Sequence, residues 1–161
     1  LVDNDALFDA LETGVVKRYI TDFGTEDLLN KPNVTVFPHV GGSTGEAELN
    51  CAIMAGQTIR RFMETGEIVN SVNFPRVQQA LSAPYRITLI NKNVPNIVAR
   101  ISTAVSDFNI NIDNIINRSK GDYAYTLLDL DETDKSKIDE LVAKFEASDN
   151  IVRVRLIKGK S

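Results

Sequence analysis

A chain of 161 residues with 43% hydrophobic and 25% charged residues is ordinary globular material, sized for one domain or two small ones. The net charge of -4 supplies no basic face for nucleic acid, and no run of about 18 apolar residues exists to span a membrane. A single cysteine, Cys51, excludes an internal disulfide framework and points to a reducing compartment, and the start Leu1-Val2-Asp3-Asn4-Asp5 has neither the basic nor the apolar region of a signal peptide.

Ala6, Leu7, Ala10 and Leu11 recur at helical spacing, so a helix is expected over Asn4 to Thr13, with Gly14 stopping it. Val15 to Ile20 reads as a short strand, Asp22 to Asp27 as a turn, and Val34 to Phe37 as a second short strand. These pieces are too small to bury a core of their own. The run Phe37-Pro38-His39-Val40-Gly41-Gly42-Ser43-Thr44 follows and holds the only histidine. A histidine on a glycine-rich loop between a strand and a helix is where an α/β enzyme keeps proton-transfer chemistry.

A long helix comes next. Ser43-x-x-Glu46 reads as a capping box, and Ala47, Cys51, Met54, Ala55, Ile59, Phe62 and Met63 share one face, which implies about 14 to 22 residues before Gly66. On that face Cys51 is expected to be a packed thiol, and Arg60-Arg61 a solvated surface. Residues 67–84 show no period and are read as a linker.

From Tyr85 the pattern is regular. Arg86 to Ile90 alternates as a strand, and Pro95 suits a helix first turn. Ile97, Ile101, Ala104, Val105 and Phe108 mark that helix, and Ile110, Ile112 and Ile116 a second strand. Ser119-Lys120-Gly121-Asp122 signals a hairpin into a third strand, Tyr123 to Leu130. Ile138, Leu141, Val142 and Phe145 mark a second helix capped by Thr133 or Asp131, and Ile151 to Ile157 alternates as a fourth strand. The order βαββαβ is the ferredoxin-like unit, with both helices on one sheet face and the other face left for solvent or a partner.

The residues carry a family resemblance along the whole chain. Leu1-Val2-Asp3-Asn4-Asp5-Ala6-Leu7 resembles the stretch after the catalytic arginine of D-2-hydroxyacid dehydrogenases. Pro38-His39-Val40-Gly41-Gly42-Ser43-Thr44-x-Glu46-Ala47, then Asn50-Cys51-Ala52-x-Met54-Ala55 and Asn70-Ser71-Val72-Asn73-Phe74-Pro75, resemble the phosphoglycerate-oxidising branch of that family. The unit from Tyr85 looks like the ACT domain that ends many of its members. The resemblance implies an α/β remnant of a Rossmann-type dehydrogenase over 1–66, a linker over 67–84, and an α+β ferredoxin-like ACT regulatory domain over 85–161.

It also implies NAD-linked oxidation of 3-phosphoglycerate to 3-phosphohydroxypyruvate, in serine biosynthesis and in the cytoplasm. His39 would be the base that takes the hydroxyl proton, with Glu26 (or Asp27, if the loop register shifts) behind the imidazole. Asp22 would reach the nicotinamide amide, and Gly41 and Gly42 would lie at the cofactor. The G-x-G-x-x-G fingerprint is absent and the family's carboxylate-binding arginine would precede Leu1, so the chain reads as part of something longer and is expected to be inactive alone. In the ACT-like unit, Asn93 and Asn111 match asparagines that hold a serine effector between two such domains, and Asn91 stands beside them where the family has a histidine. Asn96 stands where ACT domains usually carry glycine. A homo-oligomer is expected, and no metal. The rival reading is a stand-alone ACT module that binds a small molecule or dimerises without catalysis; NAD(H) binding separates the two.

Overall fold

The computed structural model describes residues 2–159; Leu1, which opens the first family-like motif, and the last two residues of the expected third segment lie outside the described residues. The chain forms two compact units, Leu1–Met54 and Ala55–Ser161. The boundary falls inside a helix, not at residues 67–84 as the sequence pattern suggests.

In the first unit, α1 (Asn4–Glu12) starts where the Asp3 carboxylate accepts the Ala6 N–H, a side-chain N-cap. The chain then turns, and β1 (Tyr19–Thr21) pairs in parallel with β2 (Val34–Val36). The expected strand over Val15 to Ile20 is thus shifted toward its C-terminal end, because Val16 donates to Ala10 O in closing the turn after α1. Among the described residues of this unit, Leu7 and Leu28 are the apolar side chains that are buried.

Helix α2 (Gly45–Thr65) has the expected length at 21 residues. Its cap is Thr44, whose hydroxyl accepts the Ala47 N–H at 3.1 Å, rather than the Ser43–Glu46 box. The box is displaced because the Ser43 N–H is already spent on Val40 O in the preceding turn. None of its residues is buried, and Leu49, Ile53, Met54, Ile59 and Met63 stand open; Cys51, expected to be packed, is exposed. Gly66 ends the helix at φ +71°, and a Cβ there would come within 2.5 Å of Thr88 Cγ2, so both the turn and the close approach require glycine.

The second unit holds a four-stranded antiparallel sheet in the order β4-β5-β3-β6, built from β3 (Tyr85–Lys92), β4 (Asn111–Lys120), β5 (Tyr123–Asp131) and β6 (Ile151–Lys158). Helices α3 (Ile97–Ser106) and α4 (Lys135–Glu146) cover one face, with Ile87, Leu89, Ile101, Val105, Leu128, Leu130, Ile138 and Leu141 as its core. The connectivity is the ferredoxin-like βαββαβ expected from the pattern. Two caps differ from expectation. Asp134 caps α4 by accepting the Ser136 N–H, since Asp131 still belongs to β5 and Thr133 lies in the turn. Pro95 precedes α3, whose N-cap is Asn96 at φ +64°. That left-handed conformation favours glycine, and asparagine is one of the few other residues that adopt it.

The second sheet face is not left to solvent. Residues 67–84 fold over it: Ile68 and Val77 exchange backbone hydrogen bonds and pack on Tyr125 and Leu127. Arg86 lies on this face, fully buried, in a bidentate pair with Asp129 at 2.5 and 2.7 Å. Its remaining donors reach Thr65 O, Gln79 O and Ala80 O. Arg155 donates to Phe62 O and Met63 O, and the Tyr125 hydroxyl donates to Gly66 O at 2.7 Å. Side chains from three strands thereby reach carbonyls at the end of α2, of which Phe62 O also accepts the Gly66 N–H at 2.9 Å. The stretch expected as a linker is part of the domain.

Candidate functional sites

The first site stands at the C-terminal ends of the two parallel strands, where open α/β sheets bind ligands. Asp22 follows β1 and His39 follows β2. Phe37 donates to Thr21 O at 2.8 Å and so extends the pairing to the edge of the loop. His39 then turns back, its N–H on Phe37 O at 2.9 Å and its backbone at φ +42°, a left-handed conformation uncommon outside glycine, in which asparagine, aspartate and histidine are the enriched exceptions. The loop is closed by Asp22, whose carboxylate accepts the Gly41 N–H at 3.3 Å. A Cβ at position 41 would sit 2.5 Å from Asp22 Oδ2, so Gly41 is what lets the carboxylate approach, whereas Gly42 faces open space. The Phe23 ring packs against the His39 imidazole at a centroid distance of 4.1 Å.

The structure therefore brings together Asp22, His39 and Gly41, and adds Phe23, which sequence pattern did not single out. Glu26 opens a short 3-10 turn, Glu26–Leu28, and is exposed. No hydrogen bond or ion pair joins it to His39 among the described residues. Asp27 is otherwise engaged. It accepts the Asn4 amide at 2.8 Å, and the Thr25 and Asn4 side chains hold its carboxyl below the usual range. Of the two carboxylates considered for the imidazole, Glu26 is the one left free. Among the described residues no cluster of three potential metal ligands forms.

The second site is the end of β3. Asn93 is fastened to the β4–β5 hairpin twice, its backbone N–H on Asp122 O at 2.8 Å and its side-chain amide on Gly121 O at 3.0 Å. Asn91 does not point to a ligand. It is fully buried, and its amide is spent on Thr126 and on Lys92 O. The alternation of β3 turns it to the helix-covered face, which is why a residue expected at an effector site lies in the interior. Asn111, exposed, begins β4 opposite Asp131, while Lys92 lies opposite Tyr123. Eight residues along β5 separate those two positions, or about 26 Å. Asn93 and Asn111 of one chain thus occupy opposite ends of the sheet. Pattern reading also passed over Thr126 and Asn117. The available signal was a lone hydroxyl, Thr126, on the face that Leu128 and Leu130 give to the core.

Comparison with known proteins gives these sites a context. No family model matches the chain. D-3-phosphoglycerate dehydrogenase 2 of Saccharomyces cerevisiae is 31% identical over 139 residues, which cover 83% of this chain and 29% of that protein. The chain is homologous to D-3-phosphoglycerate dehydrogenases. The Escherichia coli enzyme of that name is 26% identical over 168 aligned positions, covering 98% of this chain and 41% of the relative. The chain thus spans less than half the length of the curated relatives it matches. Among solved structures, the ACT domain from GTP pyrophosphokinase of Chlorobium tepidum aligns with a TM-score of 0.42 and 18% identity, over 45% of this chain and 95% of that one. Among the described residues no helix is long and apolar enough to cross a membrane.

Proposed function

We propose that this chain is the part of an NAD-dependent D-3-phosphoglycerate dehydrogenase that carries the acid–base histidine and an amino-acid-sensing ACT-type domain. The observation that carries the reading is the juxtaposition of Asp22 and the His39–Gly41 loop at the ends of a parallel strand pair, in a sequence whose relatives bear that name. On this reading the first unit is a Rossmann-type remnant, and the setting is cytoplasmic, in keeping with one unpaired cysteine.

His39 accepts the C2 hydroxyl proton of 3-phosphoglycerate as 3-phosphohydroxypyruvate forms, and returns it in the reverse direction. Glu26 is the carboxylate free to approach the imidazolium and favour its charged form. Asp22 suits the nicotinamide end of NAD, because a carboxylate accepts from a carboxamide N–H. Gly41 and Gly42 keep the approach clear of side chains. Nothing among the described residues resembles a cradle for the pyrophosphate, so the fit is to one end of the cofactor only. Bound NAD supplies the hydride acceptor.

Asn93 and Asn111 form an effector site when the loop of one chain meets the β4 start of another, which requires a homo-oligomer. The sheet edges β4 and β6 and the open face of α2 leave surface for that. Serine, the amino acid at the end of the pathway, is the effector proposed.

The test is NADH-linked reduction of 3-phosphohydroxypyruvate by the protein that contains this sequence. His39→Asn is expected to lower kcat by about 10²- to 10⁴-fold with an unchanged circular dichroism spectrum. A variant as active as wild type would remove His39 from the chemistry.

A further inference from the structure

On the helix-covered sheet face a chain of polar groups runs through an otherwise apolar interior. Asn117 Nδ2, on β4, donates to Thr126 Oγ1 at 2.7 Å. Thr126, on β5, donates its one hydroxyl proton to Asn91 Oδ1, on β3, at 2.8 Å. Asn91 Nδ2 then donates to Lys92 O at 3.0 Å. The direction is fixed by chemistry: an amide nitrogen can only donate, so the hydroxyl must accept from Asn117 and give to Asn91. Asn91 and Thr126 are both fully buried, next to Leu89 and Leu128. No buried side-chain polar atom among the described residues lacks a partner.

The chain ends on the carbonyl of the peptide that joins Lys92 to Asn93. That point lies just past the shift in β3–β6 register between Ile90 and Asn91, where pairing resumes at Asn91 and Ile151. The Asn91 amide thus acts beside two backbone bonds, Lys92 N–H on Asn150 O at 2.8 Å and Val94 N–H on the same Lys92 O at 3.0 Å. Just beyond, Asn93 is pinned to Asp122 and Gly121, and its side-chain oxygen has no partner among the described residues.

We propose that Thr126, flanked by Asn117 and Asn91, is a positioning residue for the Asn93 loop. It orients the Lys92–Asn93 peptide and so sets the direction in which Asn93 offers its free oxygen to an N–H donor such as an amino-acid ammonium group. The proposal rests on the effector-site reading given above. Replacing the hydroxyl by a methyl strands Asn91 Oδ1 in the interior and takes the acceptor from the half-buried Asn117 Nδ2. Asn91 then loses the group that holds its amide toward Lys92 O.

The experiment uses the full chain as wild type, Thr126→Val and Thr126→Ser. It measures amide hydrogen exchange by NMR and L-serine binding by calorimetry. In Thr126→Val the Asn93 N–H is expected to exchange about tenfold faster relative to the Leu89 and Leu127 amides, and the L-serine Kd to rise by about the same factor. Thr126→Ser restores both. Should Thr126→Val fail to fold, Asn117→Leu removes the far end of the chain from an edge strand and is expected to shift Asn93 in the same direction by a smaller factor. Asn93 protection that changes only in proportion to Leu89 and Leu127 would mean a plain stability role and overturn the proposal. Wild type giving no heat with L-serine overturns the effector reading itself, whatever the exchange rates, so the two failures are told apart.

Discussion

The two units are built on different principles. In the second, both sheet faces are covered and even an arginine and an aspartate are enclosed as a bidentate pair. In the first, two side chains are buried among the described residues, and the candidate catalytic histidine stands exposed on its loop. The exposed loop is nonetheless specified, by the Asp22–Gly41 hydrogen bond and the Phe23 contact. A site can therefore keep its local geometry on a few polar contacts, but the cohesion that resists unfolding resides in the second unit.

The strongest way to break this contrast is through the buried ion pair. Asp129→Ala leaves Arg86 charged, buried and short of its acceptor, and is expected to cost the second unit about 3–5 kcal/mol in urea unfolding. Replacing both partners with apolar residues should recover much of that loss, although Thr65 O, Gln79 O and Ala80 O would still lose a donor. An Asp129→Ala protein that unfolds at the wild-type urea midpoint would show the pair to be dispensable.

A matched pair of cavities comes next. Leu141→Ala removes a fully buried side chain from the helix-covered core and is expected to cost about 2–5 kcal/mol. Leu7→Ala makes the same chemical change where few buried neighbours exist, so the cost should be well below that, because the site can collapse or admit water. Equal losses in the two would mean that the first unit is as cohesive as the second.

The same contrast explains what the sequence made legible. Ile97, Ile101 and Val105 set a helical period that reports one buried face, and Val154 and Leu156 alternate toward the same core, whereas Val152, at the irregularity in the β3–β6 pairing, is exposed. The cover over the second sheet face has no period, because Ile68 and Val77 belong to an irregular segment held by one backbone bridge. Arg86 was readable as lying opposite the core face. Its burial was not, since the partner is 43 residues away and is placed by the β3–β5 register. The proposed His39 site rests on residue identity rather than periodicity. Asn91 failed for the opposite reason: its type suggested a ligand, while the alternation of β3 put it inside.

The smallest effect concerns Tyr125, which joins the sheet to the end of α2 through its hydroxyl on Gly66 O. Tyr125→Phe keeps the ring packed on Leu127 and Phe74 but leaves that carbonyl unpaired, for an expected loss of about 0.5–1.5 kcal/mol near neutral pH. Burial pushes the phenol above its ordinary value of about 10, against the opposing influence of Thr88, Arg155 and Arg86. A folded-state pKa raised above the unfolded one means that the unfolded chain ionises first as pH rises. The stabilisation is therefore whole below about pH 10 and is lost progressively above it, toward the raised folded value. Melting followed across that alkaline range should fall more steeply in wild type than in Tyr125→Phe, so that the gap between them narrows. Parallel curves would mean that the hydroxyl ionises as readily in the folded protein as in the unfolded chain, and that α2 is held to the sheet by Arg86 and Arg155 alone.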